Sequence, residues 1–448
     1  MKIASIASWP PRRCGIASFS ADLRRGLEQL GYQQLPVVAV AKEAGEYAYG
    51  SEVISEITQD DPESYRQAAK HLNELAPDLV ILQHEYGLFG GPDGDLVLGL
   101  LSDLQVPVVT VLHTVLSRPS AGQYKVLCRL AERSERLVII AERARGILKQ
   151  VYAIPTEKVV HIPHGVPEVP NPAVLTAVRR QLGGPEEMVL LSFGLLGPGK
   201  GLVGATHPNE RKLHGEAYRN GLQKLINWMG LSNNVRLINE FLAEEELMAH
   251  IAACDVYITP YPGREQISSG TLSFALGLGK PIISTPFIYA EEMLGDGSGL
   301  LVPFNDAGQM GRAMAKLICD QAYRQELARK ASAKGSSLQW TRVAQRYAEL
   351  ARSIRRIPEA NLGKAVSGSI PDNVTPIDPQ QLPALSLDHL MRLTDDTGML
   401  QHACGSIPNR QLGYTTDDNA RALLAMVLVP PELESKRLQL AENYLAFL

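Results

Sequence analysis

The chain has 448 residues, enough for two or three domains with cores of their own. Its 45% hydrophobic and 21% charged content is that of a soluble globular protein, and a net charge of −4 with no long basic run argues against a nucleic-acid partner. Five scattered cysteines without CxxC spacing exclude a disulfide framework or a zinc site and suggest reduced thiols in a cytoplasmic protein.

The first fifteen residues turn polar too soon for a signal peptide, and no apolar run is long enough to span a bilayer. A peripheral membrane contact through a surface patch stays open. Strands are expected at 2–7, 36–41, 78–83, 107–113, 136–140 and 158–162. Helices are expected between them at 17–31, 62–76, 94–104, 121–133 and 142–151. This alternation predicts an α/β domain over 1–165, with a parallel sheet covered on both faces. Residues 166–185 carry Pro167, Pro170, Pro172, Gly183, Gly184 and Pro185 and read as a hinge. A second α/β domain, 166–355, begins with strand 188–193 and continues through strands 235–238, 255–260, 281–285 and 299–303. Its helices fall at 271–278, 306–319, 321–334 and 340–355. Residues 356–385 have linker composition, and 386–448 read as an incomplete helical segment.

Two doubly wound halves place a ligand between them, at the carboxyl ends of the strands. The loops there hold the candidates. Tyr261 to Pro281 reads strand, polar loop, helix start, strand, with Glu265 in the loop and Ser268, Ser269 and Gly270 opening the helix. Unpaired N–H groups at a helix start suit a phosphate, and an acid beside them suits sugar hydroxyls. Phe193 to Gly201 follows the first strand of the second half, and its glycines and Lys200 suit a diphosphate. A flexible glycine turn with a solvated lysine is the alternative. His113 ends a buried strand, and a structural histidine competes there with a site residue. His84 and Glu85 suit an acceptor loop or ordinary capping, and His164 suits a turn. Gly15 lets a substrate approach the backbone, while Arg12 and Arg13 either meet an anion or stay solvated. The Asp pairs 60–61, 395–396 and 417–418 read as helix and turn caps rather than metal ligands, with Thr416 as a helix cap.

GIASFSADL, VLHT, IPHGV, FGLLGPGKG, EQISSGTLSFALGLGKPIIS and GLLVPFND together resemble a retaining glycosyltransferase of family 4 over residues 1–355. The resemblance implies the GT-B fold, two facing Rossmann-like domains, and hexosyl transfer from a nucleotide diphosphate sugar to a glycan or other hydroxyl acceptor. It implies no metal and no cofactor beyond the donor. By resemblance, Lys200 contacts the donor diphosphate and Glu265 lies near the donor sugar as the first acid of a Glu-x7-Glu pattern. Ser269, Gly270 and Thr271 supply phosphate contacts, Gly15 lies near the diphosphate, and His113 lines the reaction centre.

Three departures are visible. Ser273 stands at the second acid, Leu195 stands at the usual arginine, and a strand with its crossover helix is missing between Leu202 and Val203. Such a unit needs about 30 residues. The tail from Ser386 resembles the opening of an (α/α) toroid of carbohydrate enzymes. The rival expectations are a sugar phosphorylase or nucleotide-sugar epimerase on the same fold, and a non-catalytic or defective sugar-nucleotide or glycan binder.

Overall fold

Runs of Val, Ile and Leu make strands that bury both faces, and the first half is built from them. The computed structural model describes residues 1–167, 171–184, 186–194, 206, 211–212, 214–240, 242, 244–355, 386–400, 403–404, 407–408, 413–427, 429 and 434–448. They fall into two compact units, 1–358 and 359–448. The first unit opens with seven parallel strands. These are β1 (Ile3–Ala7), β2 (Val37–Ala41), β3 (Val53–Thr58), β4 (Leu79–His84), β5 (Val108–Leu112), β6 (Arg136–Ile139) and β7 (Val159–His161). Their order is β3-β2-β1-β4-β5-β6-β7. The order reverses between β1 and β4, so the ends of β1, β4 and β5 border the crevice of such a sheet. β2, β4 and β5 are buried at every residue. β3 was not expected: it is an edge strand, and Ser55 and Glu56 interrupt its apolar pattern.

The second sheet is shorter. Its order is β11-β10-β9-β8, with β8 Leu190–Leu191, β9 Val256–Thr259, β10 Ile282–Ser284 and β11 Leu300–Leu301. The strand expected at 235–238 does not form. Among the described residues no strand lies outside β8, whereas β1 has β2 and β3 on the corresponding side. An extended segment without a ladder neighbour gains no hydrogen bonds for its lost freedom, so the local apolar pattern at 235–238 is not enough. Val235 is 40% exposed. The expected hinge, 166–185, instead holds a helix, Pro172–Leu182, over much of its length. Asn171 caps it by accepting from Ala173 N at 2.9 Å, and Pro172 sits at its first position.

The helix Trp340–Arg355 returns to the first half and packs on the helix Gly15–Gln29. The chain crosses there twice: Val166 N donates to Leu338 O (2.7 Å) and Trp340 N donates to Val166 O (3.1 Å). One apolar core includes Phe19, Leu112, Leu272, Phe274, Trp340 and Val343, and so runs through both halves.

The second unit contains the helices Asp388–Leu393, Thr416–Val427 and Glu434–Phe447, and a short antiparallel pair, Ala403–Cys404 with Ile407–Pro408. Leu387, Met426, Leu440 and Tyr444 form its core. Thr415, not Thr416, caps the middle helix, since its Oγ1 accepts from Asp418 N (3.2 Å) and donates to Asp418 Oδ2 (2.5 Å). The linker 356–385 lies outside the described residues. Among the described residues no helix is long and apolar enough to cross a membrane.

Close backbone approach at the crossing sets a strict packing limit. A Cβ on Gly335 would lie 2.3 Å from Leu276 O, a backbone atom that cannot rotate away. Gly335→Ala is expected to cost about 1–3 kcal/mol of stability through overpacking. Urea unfolding checks it, and an unchanged midpoint would show that the crossing yields.

Candidate functional site

The site is assembled from strand ends. β9 leads into the loop that carries Glu265 and then into the helix Gly270–Gly277. Ser269 is the N-cap, extended at φ −152°, and its Oγ accepts from Leu272 N at 3.3 Å. The N–H groups of Gly270 and Thr271 open that helix, and its first turn carries no acid. The Glu265 loop is braced on the helix Ile288–Leu294, because Ile288 N donates to Arg264 O (3.0 Å) and Tyr289 N to Gln266 O (3.1 Å).

Across from it, β5 leads into His113. One His113 ring nitrogen, Nε2, lies 2.8 Å from Gln83 Oε1, and its carbonyl accepts from Ser268 Oγ at 3.2 Å. Glu265 Oε2 accepts from Ser117 Oγ (2.7 Å) and from Ser117 N (3.3 Å). Thr114 Oγ1 donates to Glu85 Oε2 at 2.6 Å. Thus the loop after β5 touches one carboxylate of each half.

His164 lies under the helix start. A Cβ on Gly270 would be 3.2 Å from His164 Nε2, a tight contact. His164 Nδ1 lies 2.7 Å from Gly165 O, which assigns the proton to Nδ1 and leaves Nε2 as an acceptor. Phe19 meets His113, His164 and Trp340 edge-on, at centroid distances of 5.0, 5.1 and 5.0 Å. Burial pushes His164 down to about 4. Burial also holds His113 well below the ordinary imidazole range, with repulsion from His164 and His84 adding to it. Both rings are neutral near pH 7.

The structure therefore brings His113, Glu265, Ser269, Gly270 and Thr271 together where the two halves meet. Gly15 begins the helix whose next turn carries Phe19, and a Cβ there would meet nothing within 4 Å. Lys200 and Leu195 lie outside the described residues. Two expectations change. His84 faces no cleft: it is fully buried, stacked on Phe89 and edge-on to Tyr86, and neither ring nitrogen has a partner among the described residues. Arg12 donates to Val40 O at 2.9 Å, so that guanidinium braces the first sheet. Sequence reasoning missed Ser117, whose partner is 148 residues away. It also missed Glu292, which accepts from Glu142 N (2.8 Å) and Arg143 N (2.9 Å) between the same two halves.

Two family models match the chain: Glycosyltransferase Family 4 over residues 14–168, and Glycosyl transferases group 1 over residues 205–320. Solved structures also resemble it over most of its length. Anabaena HepE in complex with UDP is 19% identical, with a TM-score of 0.62, covering 79% of this chain and 100% of that one. Sucrose-phosphate synthase from Thermosynechococcus elongatus is 17% identical, with a TM-score of 0.64, covering 79% and 99%. A trehalose-phosphate synthase from Burkholderia vietnamiensis is 13% identical, with a TM-score of 0.55, covering 79% and 98%. The chain belongs to the group 1 glycosyltransferases of GT-B fold. No curated protein matches it in sequence.

In this glycosyltransferase the serine at the second-acid position is sealed inside the fold. Ser273 is fully buried, donates to Ser269 O (3.0 Å) and shares a hydrogen bond of 2.7 Å with Tyr289 OH. Its hydroxyl is consumed by the helix and by Tyr289.

The buried histidines make stability depend on pH. Burial pushes His84 down to about 3 and His164 to about 4, against about 6.5 for an exposed imidazole. A depressed folded pKa contributes stability that is complete above the unfolded value and is lost as pH falls below it. Each ring should therefore remove about 1.4 kcal/mol per pH unit between roughly pH 6 and 4. Urea unfolding at several pH values is expected to show a shallower acid slope for His84→Phe than for the parent, and an identical slope would overturn the assignment.

Proposed function

We propose that this glycosyltransferase moves a sugar from a nucleotide diphosphate sugar to a carbohydrate or other hydroxyl acceptor, with retention of configuration and without a metal. The observation that carries the reading is the pairing of Glu265 with the open helix start at Gly270, both facing the His113 loop of the other half. A carboxylate accepts hydrogen bonds from sugar hydroxyls, and two backbone N–H groups at a helix start stabilise a diphosphate. Related structures support the donor class: Anabaena HepE was solved with UDP-glucose. An Escherichia coli trehalose-6-phosphate structure holds UDP-2-fluoro glucose.

In the proposed reaction the acceptor oxygen bonds to the anomeric carbon on the face from which the diphosphate leaves. The bond from that carbon to the phosphate oxygen breaks. The acceptor hydroxyl proton passes to the departing phosphate oxygen, because neutral His113 is held by Gln83 and serves to position groups. Gly270 N–H, Thr271 N–H and Lys200 take the charge that develops on the leaving group. The N-terminus of the helix at Gly15 adds a partial positive charge from the other half.

A second reading is a protein that binds the sugar nucleotide or glycan without turnover. It is favoured by one observation: among the described residues the second sheet ends at β8. A screen of UDP-, GDP- and ADP-sugars, scored for hydrolysis and transfer, separates the two.

Glu265→Gln keeps shape and removes charge. It is expected to cut transfer by roughly 10- to 150-fold, the worth of one charged hydrogen bond. Near-parental turnover would remove Glu265 from the site. Lys200→Ala is expected to weaken UDP binding by a similar factor. Unchanged affinity in calorimetry would remove Lys200.

A further inference from the structure

A carboxylate that must meet a sugar hydroxyl at a fixed angle needs something to set its rotation. Glu265 is held by a residue of the opposite half. Both hydrogens of Ser117, on Oγ and on N, reach the same oxygen, Oε2, at 2.7 and 3.3 Å. Two donors on one oxygen fix the plane of the carboxylate and leave Oε1 as the freer acceptor. Charge assistance makes these stronger than neutral bonds.

The loop that delivers Ser117 is itself fixed at successive residues. The His113 carbonyl accepts from Ser268 Oγ (3.2 Å), and Thr114 Oγ1 donates to Glu85 Oε2 (2.6 Å). Val115 is fully buried. The Leu116 carbonyl accepts from Tyr152 OH (3.0 Å). Little freedom remains for Ser117.

We propose that Ser117 is a positioning residue for Glu265. The half without the acid orients it, so the acid reaches its working geometry only when the two halves are closed on each other. The inference rests on the reading of Glu265 as the donor-sugar acid. Ser117 touches no reacting atom, and its effect passes wholly through Glu265. It should therefore change what the sugar contributes and leave what the nucleotide diphosphate contributes.

The test compares the parent, Ser117→Ala, Ser117→Thr and Glu265→Gln, with UDP-glucose and UDP as probes. Ser117→Ala is expected to lower kcat by roughly 10- to 100-fold, with UDP affinity unchanged. Ser117→Thr keeps the hydroxyl and should restore most of the rate. If the parent binds without turnover, calorimetry replaces kinetics: Ser117→Ala should lose the extra affinity of UDP-glucose over UDP. Ser117→Ala at parental rate, or with parental UDP-glucose preference, while Glu265→Gln fails would overturn this inference alone. Equal losses for UDP and UDP-glucose, with a lower melting temperature, would mark a merely structural contact and overturn it too. Parental behaviour of Glu265→Gln, or a parent that binds none of the UDP-, GDP- and ADP-sugars or their nucleotide diphosphates, would remove the site reading and the inference together; a parent that prefers GDP or ADP is tested with that pair of probes instead.

Discussion

The double crossing at Val166 and Trp340 is the constraint on which the rest of the first unit depends. Two backbone hydrogen bonds join the segment that leaves the first half to the segment that returns to it. The Trp340 ring then fills the space beside Gly165, where a Cβ would lie 2.1 Å from it. That ring supports Phe19, and Phe19 supports His113 and His164 edge-on. The aromatic cluster thus transmits the position of the crossing to both histidines of the cleft. Edge-to-face pairs have directional preferences that a greasy contact lacks, so ring positions are set as well as ring burial. Gly277 shows the same economy of space: a Cβ there would lie 2.1 Å from the Val166 side chain. The relation of the two halves is therefore set by packing at the crossing, and the polar contacts across the cleft act on a frame that already exists.

Apart from Ser268 Oγ donating to His113 O, those polar contacts are of one kind. Carboxylates on the second half accept from backbone or hydroxyl donors on the first: Glu265 from Ser117, and Glu292 from the N–H groups of Glu142 and Arg143. Glu292 sits at the start of the helix Arg143–Tyr152, where the partial positive charge favours an anion. Arg143 adds an ion pair with Glu291. Exposed ion pairs of this sort contribute little by themselves. Their worth here is angular, because each ties a surface loop of one half to a helix or loop of the other. His113 is half-buried and His164 buried, and both are neutral near pH 7, so neither adds a charge beside the helix start.

Much of this was legible in the sequence, and the failures have physical causes. Strands such as Val37–Ala41 and Leu79–His84 are buried on both faces, so they appear as unbroken apolar runs. Val53–Thr58 lies at an edge, half exposed, and Ser55 and Glu56 hid it. Residues 235–238 gave the opposite error. Their pattern is strand-like, but a strand is a property of a pair, and the neighbour is absent among the described residues. The cap at Thr415 was missed by one position because Thr415 and Thr416 are adjacent candidates and only the Asp418 N–H decides between them. In the site, Glu265 and the helix start could be read because strand, loop and helix are contiguous in the chain. Ser117 could not, since nothing local to VLHTVLS marks it as facing a residue 148 positions later.

Ser273 shows how far a local change reaches. At this position a carboxylate would have to lie beside Leu272 and Phe274 with no exposed surface, and burying an unpaired charge is costly. The hydroxyl instead closes a short network, Ser269 O to Ser273 Oγ to Tyr289 OH. Tyr289 is fully buried, and burial raises its phenol well above the ordinary range, so it remains a neutral hydrogen-bonding partner at any physiological pH. The network locks the first turn of the helix Gly270–Gly277 to the helix Ile288–Leu294, which also braces the Glu265 loop. The Ser273 hydroxyl thus serves internal rigidity. On the proposed reading, recognition of the donor shifts away from side chains at this turn. It falls instead on the backbone N–H groups of Gly270 and Thr271 and on Glu265, whose orientation the same network supports from behind.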